Sequence, residues 1–157
     1  MMGFLLDTDV ISMFSPVQNT VSPLFLDWLE NMDRENRVFM SVVTIHEIEK
    51  GIALLDSKGA TAKASDLRIW LLGLMTTYGD KILGLDALGA AVSGQLEAGS
   101  IAAGHHPGMA DAVIAGIAKV NDHVVITRNI KHYLSLGIEV ATPDQAVISW
   151  NPGSSRR

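Results

Sequence analysis

Short apolar runs alternate along this chain with longer stretches in which apolar residues recur every three or four positions. Phe4-Leu5-Leu6 reads as a brief buried strand that stops at Asp7. Asp9 then stands where it can cap a helix carrying Val10, Ile11 and Phe14. Leu24, Phe25, Trp28 and Leu29 follow Pro23 at helical spacing. Residues 38–43 are continuous and rich in strand formers, the pattern of a strand covered on both faces. Thr44 opens a helix with Ile45, Ile48, Ile52 and Leu55, and residues 61–78 form another with Leu67, Leu71 and Leu74 on one side. Residues 82–85 are a short strand ending at Asp86, residues 87–96 are helical, and residues 99–108 are a loop holding His105, His106 and Pro107. An apolar helix at 109–120 and strands at 124–127 and 138–141 complete the series. Strands separated by helices predict an α/β fold with a mostly parallel sheet and right-handed crossovers. One domain is expected over residues 1–145, with a polar, turn-rich tail over 146–157.

Composition narrows the picture. At 157 residues the chain has room for one ordinary core. With 48% hydrophobic and 18% charged residues it is not a disordered segment. The apolar excess suggests that some surface is covered by another chain. The absence of Cys excludes disulfides, thiolate zinc sites and a Cys nucleophile, and fits a reducing compartment. No basic leader precedes a long apolar run, and no apolar stretch is long enough for a bilayer, so a cytoplasmic location is expected. A net charge of −5 argues against strong nonspecific adhesion to nucleic acid. It leaves room for a nucleic acid held locally through a metal.

The informative pattern is where acids fall relative to strands. Asp7 follows the first strand, Glu47 sits just beyond the second, Asp86 follows the third, and Asn129 comes two residues after Thr127. Asp111 lies in the first turn of a helix that is apolar nearly all round. Ligand sites in open parallel sheets form at the carboxyl ends of the strands. Carboxylates crowded there repel one another, and a divalent cation removes the conflict. Hard oxygen ligands suit Mg²⁺ or Mn²⁺, which activate water and stabilise charge on a phosphodiester.

Each acid also has a plainer reading. Thr44-x-x-Glu47 matches a capping box. Asp111 could favour a helix N-terminus, although a lone carboxylate on a buried helix needs a partner. Asp9 and Asp86 read best as caps. His46, His105 and His106 read as solvated or structural, at spacings that fit no zinc motif. Lys50, Arg128 and Lys131 are ordinary surface charges unless the acidic site exists, in which case they are candidates to hold a phosphate backbone.

Four segments, in order, resemble the PIN-domain family, most closely the VapC/FitB-type toxins of bacterial type II toxin–antitoxin modules. They are Phe4-Leu-Leu-Asp-Thr-Asp-Val-Ile-Ser12, Ser41-Val-Val-Thr-Ile-His-Glu-Ile-Glu-Lys-Gly51, Met109-Ala-Asp-Ala-Val-Ile-Ala115 and Val124-Val-Ile-Thr-Arg-Asn-Ile-Lys-His-Tyr133. The resemblance implies a three-layer α/β/α sandwich, a Mg²⁺- or Mn²⁺-dependent endoribonuclease site, and a homodimer. It also implies a VapB/FitA-like antitoxin that blocks the site and anchors the complex to operator DNA. The family's three central acids fall on Asp7, Glu47 and Asp111, which would hold the ion. Asn129 stands where many members carry a fourth acid, and would position water or a substrate phosphate. His132 stands where relatives often have Asp, so three acids favour one bound ion over two. An acidic pocket would also suit an Arg-bearing antitoxin tail.

Two other readings use the same residues. In a non-catalytic PIN-like scaffold the acids would bind without turning over. In a haloacid-dehalogenase-type phosphatase Asp7 would be the nucleophile. That chemistry needs a later acidic pair, and beyond Thr127 the chain offers only Glu139 and Asp144.

Overall fold

The computed structural model describes residues 2–151; the end of the expected tail, residues 152–157, lies outside them. Five strands form one all-parallel sheet in the order β3-β2-β1-β4-β5. They are β1 (Gly3–Leu6), β2 (Val38–Ser41), β3 (Ile82–Leu83), β4 (His123–Ile126) and β5 (Val140–Ala141). The helices are α1 (Thr8–Ser12), α2 (Pro23–Arg34), α3 (Val42–Ser57), α4 (Thr61–Tyr78), α5 (Ala87–Ala102), α6 (Met109–Val120) and α7 (Pro143–Ser149).

The period-two geometry of the strands divides the core. Phe4 and Leu6 of β1, with Val124 and Ile126 of β4, point to one face, where Phe25, Trp28, Ile48, Ile52, Leu67 and Leu71 of α2, α3 and α4 cover them. Leu5 and Val125 point to the other, where Ala112, Ile114, Ile117 and Ala118 of α6 cover them. This is the expected α/β/α sandwich. β1 lies at its centre, buried on both faces and paired to β2 and β4. Among the described residues no helix is long and apolar enough to cross a membrane.

Several boundaries differ from expectation. The second strand stops at Ser41, because the Ser41 hydroxyl accepts the Thr44 N–H and starts α3 at Val42. The fifth helix runs six residues further than the expected 87–96, to Ala102. Ser100 is buried there and donates to Ser135 (2.6 Å), so a tertiary contact carries the helix past Gly99. The last strand is cut to Val140–Ala141, after Gly137 reverses the chain at φ 67°. The expected boundary at 145/146 falls inside α7, which opens with a capping box between Thr142 and Gln145. Ala146 is buried, and the rings of Trp28 and Trp150 lie edge-on to Phe4 at 4.9 and 5.2 Å. Trp28 Nε1 donates to the Trp150 carbonyl (2.8 Å). Residues 146–150 therefore belong to the domain.

The packing of α5 on α6 fixes where α6 begins, and so where Asp111 stands. It depends on Gly116, where a Cβ would fall on the Ser93 side chain and lie 3.0 Å from the Gly89 carbonyl. Overpacking of this kind costs about 1–3 kcal/mol, against a helix-propensity gain of about 1 kcal/mol for Ala over Gly. Gly116→Ala is expected to lower the urea midpoint. Gly73→Ala on α4, where a Cβ meets nothing within 4 Å, is expected to raise it.

Candidate active site

The order of the sheet makes a crevice at the carboxyl ends of β1 and β4, since the chain leaves β1 toward β2 and β4 toward β5. Asp7 is the first residue past β1, and its N–H still bonds the Ile126 carbonyl (2.9 Å). Its two carboxylate oxygens have separate donors: Thr8 N–H on Oδ1 and the Thr127 hydroxyl on Oδ2, both at 2.8 Å. Asp7 is thus the cap of α1. Asp9, expected as that cap, instead faces the segment after β4. Its Oδ2 accepts Arg128 N–H (3.0 Å) and the Asn129 amide (3.1 Å), with the Arg128 guanidinium 3.8 Å away.

Glu47 does not close a capping box, because the cap of α3 is Ser41. Its Oε1 accepts the Thr8 hydroxyl (2.7 Å), which also lies 3.0 Å from the buried Thr44 hydroxyl. Thr8, between Asp7 and Asp9, therefore holds an acid from α3 at the same sheet edge. Asp111, in the first turn of α6, has Oδ2 3.3 Å from Nδ1 of His132.

The charges of these acids act on one another. Burial pushes the Asp111 carboxyl above its ordinary range; repulsion from Asp7 and, more weakly, Glu47 adds to this, while His132 and the Tyr133 hydroxyl oppose it. Burial also raises Asp9, again reinforced by Asp7, with the Arg128 backbone N–H and side chain opposing. Tyr133 is fully buried, and its hydroxyl lies near Asp7 and Asp111 without closing a well-formed hydrogen bond to either. Burial first, then the charges of Asp7 and Asp111, drive its phenol well above the usual range, so it stays protonated. Among the described residues no group of three or more His, Asp or Glu is placed, as it stands, to hold a metal ion. The like charges stand off, each carboxylate turned to its own neighbours.

A cavity of about 310 Å³ opens beside Asp111, lined by His105, His106, Pro107, Gly108, Lys131, His132 and Ser135. Gly108 is the cap of α6 and brings no side chain to it, leaving the first N–H groups of the helix without a side-chain acceptor.

Asp7 and Glu47 are thus linked through Thr8, and Asp111 lies near enough to feel both charges. Asn129 is there too, but its amide serves Asp9, and so does Arg128. Lys131 lines the cavity; Lys50 is exposed on α3 and makes no hydrogen bond or ion pair among the described residues. Asp86 caps α5 by accepting Gly89 N–H (2.8 Å) and lines a separate cleft with Val120 and Asn121. Sequence reasoning missed the part played by Asp9 and Tyr133; His105 and His106, read as solvated, are exposed and line the cavity with His132. The Asp-x-Asp after an apolar run was the available signal for Asp9; the contacts with the segment after β4 decide which Asp is the cap.

No family model matches the chain. Two characterised proteins do. The plasmid stability protein StbB of Pseudomonas syringae pv. tomato is 32% identical over 143 residues, 90% of this chain and 99% of StbB. Toxin FitB of Neisseria gonorrhoeae is 29% identical over 140 residues, 88% of this chain and 96% of FitB. Among solved structures, FitAcB from Neisseria gonorrhoeae superposes with a TM-score of 0.75 at 28% identity, over 89% of this chain and 97% of its counterpart. FitAB bound to the IR36 DNA fragment gives 0.66 at 26% identity, over 89% and 94%.

Because the Asp111 carboxyl is raised, its charge costs the folded state stability above the ordinary carboxylate range, and the cost disappears on acidification. In chelator, Asp111→Asn is expected to melt higher than the parent at pH 7. The gain should shrink as pH falls toward the unfolded value of 3.8, when followed by melting across a pH series.

Proposed function

Since the chain belongs to the PIN-domain toxins of the FitB and VapC type, we propose that it is the toxin of a toxin–antitoxin module and acts as a Mg²⁺- or Mn²⁺-dependent endoribonuclease. The observation that carries the reading is the crevice in which Asp7, Asp9, Glu47 and Asp111 meet with their charges incompletely offset. Its ligand groups are all oxygen, which suits a hard divalent cation and not zinc or a soft metal. The buried Tyr133 hydroxyl without a partner fits a site whose acids shift when a cation enters.

Asp7, Glu47 and Asp111 would hold the ion, which supplies activation of a water and neutralisation of charge on a phosphodiester. The remaining work falls to the chain. Thr127 and the Thr8 N–H fix both oxygens of Asp7, and the Thr8 hydroxyl fixes Glu47. Arg128 and Asn129 keep Asp9 against the segment after β4, so Asn129 acts through Asp9 before it acts on substrate. Lys131, with His105 and His106 across the cavity, offers positive charge and donors for an RNA phosphate next to the acids. With a net charge of −5 elsewhere, RNA selection would rest on such local contacts.

The FitA–FitB assemblies support a FitA-like antitoxin as partner, with operator DNA bound through the complex. An apolar groove of about 440 Å³ beside the crevice, lined by Val42, Val43, His46, Leu85, Met109 and Val113, gives such a partner a surface to cover, with Met109 74% exposed. An Arg on its tail would then meet the carboxylates. A homodimer would bury part of the remaining apolar surface.

Asp7→Asn keeps a residue able to cap α1, so its circular dichroism should match the parent while Mn²⁺-dependent RNA cleavage and growth arrest fall to background. Cleavage by the folded variant would overturn the assignment, and a parent that binds Mn²⁺ and RNA without cleaving would favour the scaffold reading. Lys131→Ala combined with His105→Ala is expected to raise KM for RNA several-fold with a smaller change in kcat, measured on a defined RNA substrate.

A further inference from the structure

The ring of Tyr133 packs in the core on the α6 side of the sheet, with Leu5, Ala112, Val125 and Leu136. A Phe would fill that space equally well. The Tyr hydroxyl instead reaches the polar crevice, near enough to Asp7 and Asp111 to act on both carboxyls, yet it closes no well-formed hydrogen bond to either. A buried donor without an acceptor is costly, and natural cores avoid it. Here acceptors stand close by, yet Asp7 is turned to Thr8 and Thr127 and Asp111 to His132. The missing bond therefore needs only a small movement of a carboxylate, of the kind that a cation would cause by drawing the acids together.

We propose that Tyr133 is a positioning residue for the cation site: its buried hydroxyl donates to Asp7 or Asp111 when a divalent cation is bound, and so orients the ligand carboxylate. The proposal rests on the reading of the crevice as a cation site. In this arrangement the phenol is a donor to the ligand carboxylates and not itself a ligand. Its role is that of the donors behind metal-ligating carboxylates, whose loss weakens metal affinity by about 10–100-fold.

The test uses the full chain and MnCl₂ alone, by calorimetric titration, with Asp7→Asn and Tyr133→Phe beside the parent. Tyr133→Phe keeps the ring and removes the orphan hydroxyl, so in chelator it should melt at or above the parent. Its Mn²⁺ affinity should fall about 10–100-fold, and its gain in melting temperature at fixed Mn²⁺ should shrink. In the parent, Mg²⁺ should slow exchange of the Tyr133 hydroxyl proton, seen by NMR; this measurement does not depend on any variant folding. If the parent binds Mn²⁺, Asp7→Asn does not, and Tyr133→Phe binds as the parent does, the Tyr133 assignment alone is overturned. If the parent takes up no Mn²⁺ at millimolar concentration, the cation reading is overturned and this proposal goes with it.

Discussion

Like charges cannot share a half-buried crevice unless something holds them there. In this protein four acids from three parts of the chain do share one, and the surrounding structure supplies the holding groups. Asp7 is clamped at both oxygens, by the first N–H of α1 and by a hydroxyl from the end of β4. Thr8 holds Glu47, and the segment after β4 holds Asp9 through two donors. Each donor offsets part of the repulsion, yet Asp9 and Asp111 are still pushed toward protonation. That residual strain is what a cation would relieve.

The sandwich keeps these groups in place. β1 is buried on both faces and has a partner on each edge, so its end is among the least mobile points of the fold. On the far face α6 is locked to α5 by a glycine contact that leaves no room for a methyl group. Asp111 therefore meets β1's acids from a helix that cannot slide. The imidazoles and the Lys131 ammonium that line the neighbouring cavity come from less constrained pieces, the 103–108 loop and the short turns after β4. The crevice thus sets rigidly held acids beside imidazole and ammonium groups on segments with more freedom to adjust.

The layers and the parallel sheet were legible because they rest on apolar periodicity, which is a local property. Asp7, Glu47 and Asp111 were legible for a related reason: two stood at strand ends, and one interrupted a buried helix. Asp9 was not, since both Asp7 and Asp9 can cap the helix, and only the contacts with Thr127, Arg128 and Asn129 separate their roles. Tyr133 was hidden because nothing in Lys-His-Tyr tells which atom of the ring meets a carboxylate. His105 and His106 read as surface residues, and they are exposed; their bearing on the site comes from the fold of the loop back toward Asp111. The helix at 143–149 was obscured by its shortness: its core face rests on Pro143 and Ala146, while Ile148 is turned outward.

The bond between Thr127 and Asp7 joins residues 120 positions apart. Synthesis proceeds from the amino end, so β1 leaves the ribosome with one edge open and waits for β4 through most of translation. Until then Asp7 lacks its second clamp, and Asp9 lacks both of its donors. A nascent or prematurely terminated chain that stops before β4 thus has the acids without the architecture that gathers them, and the crevice is completed only when the polypeptide is nearly finished.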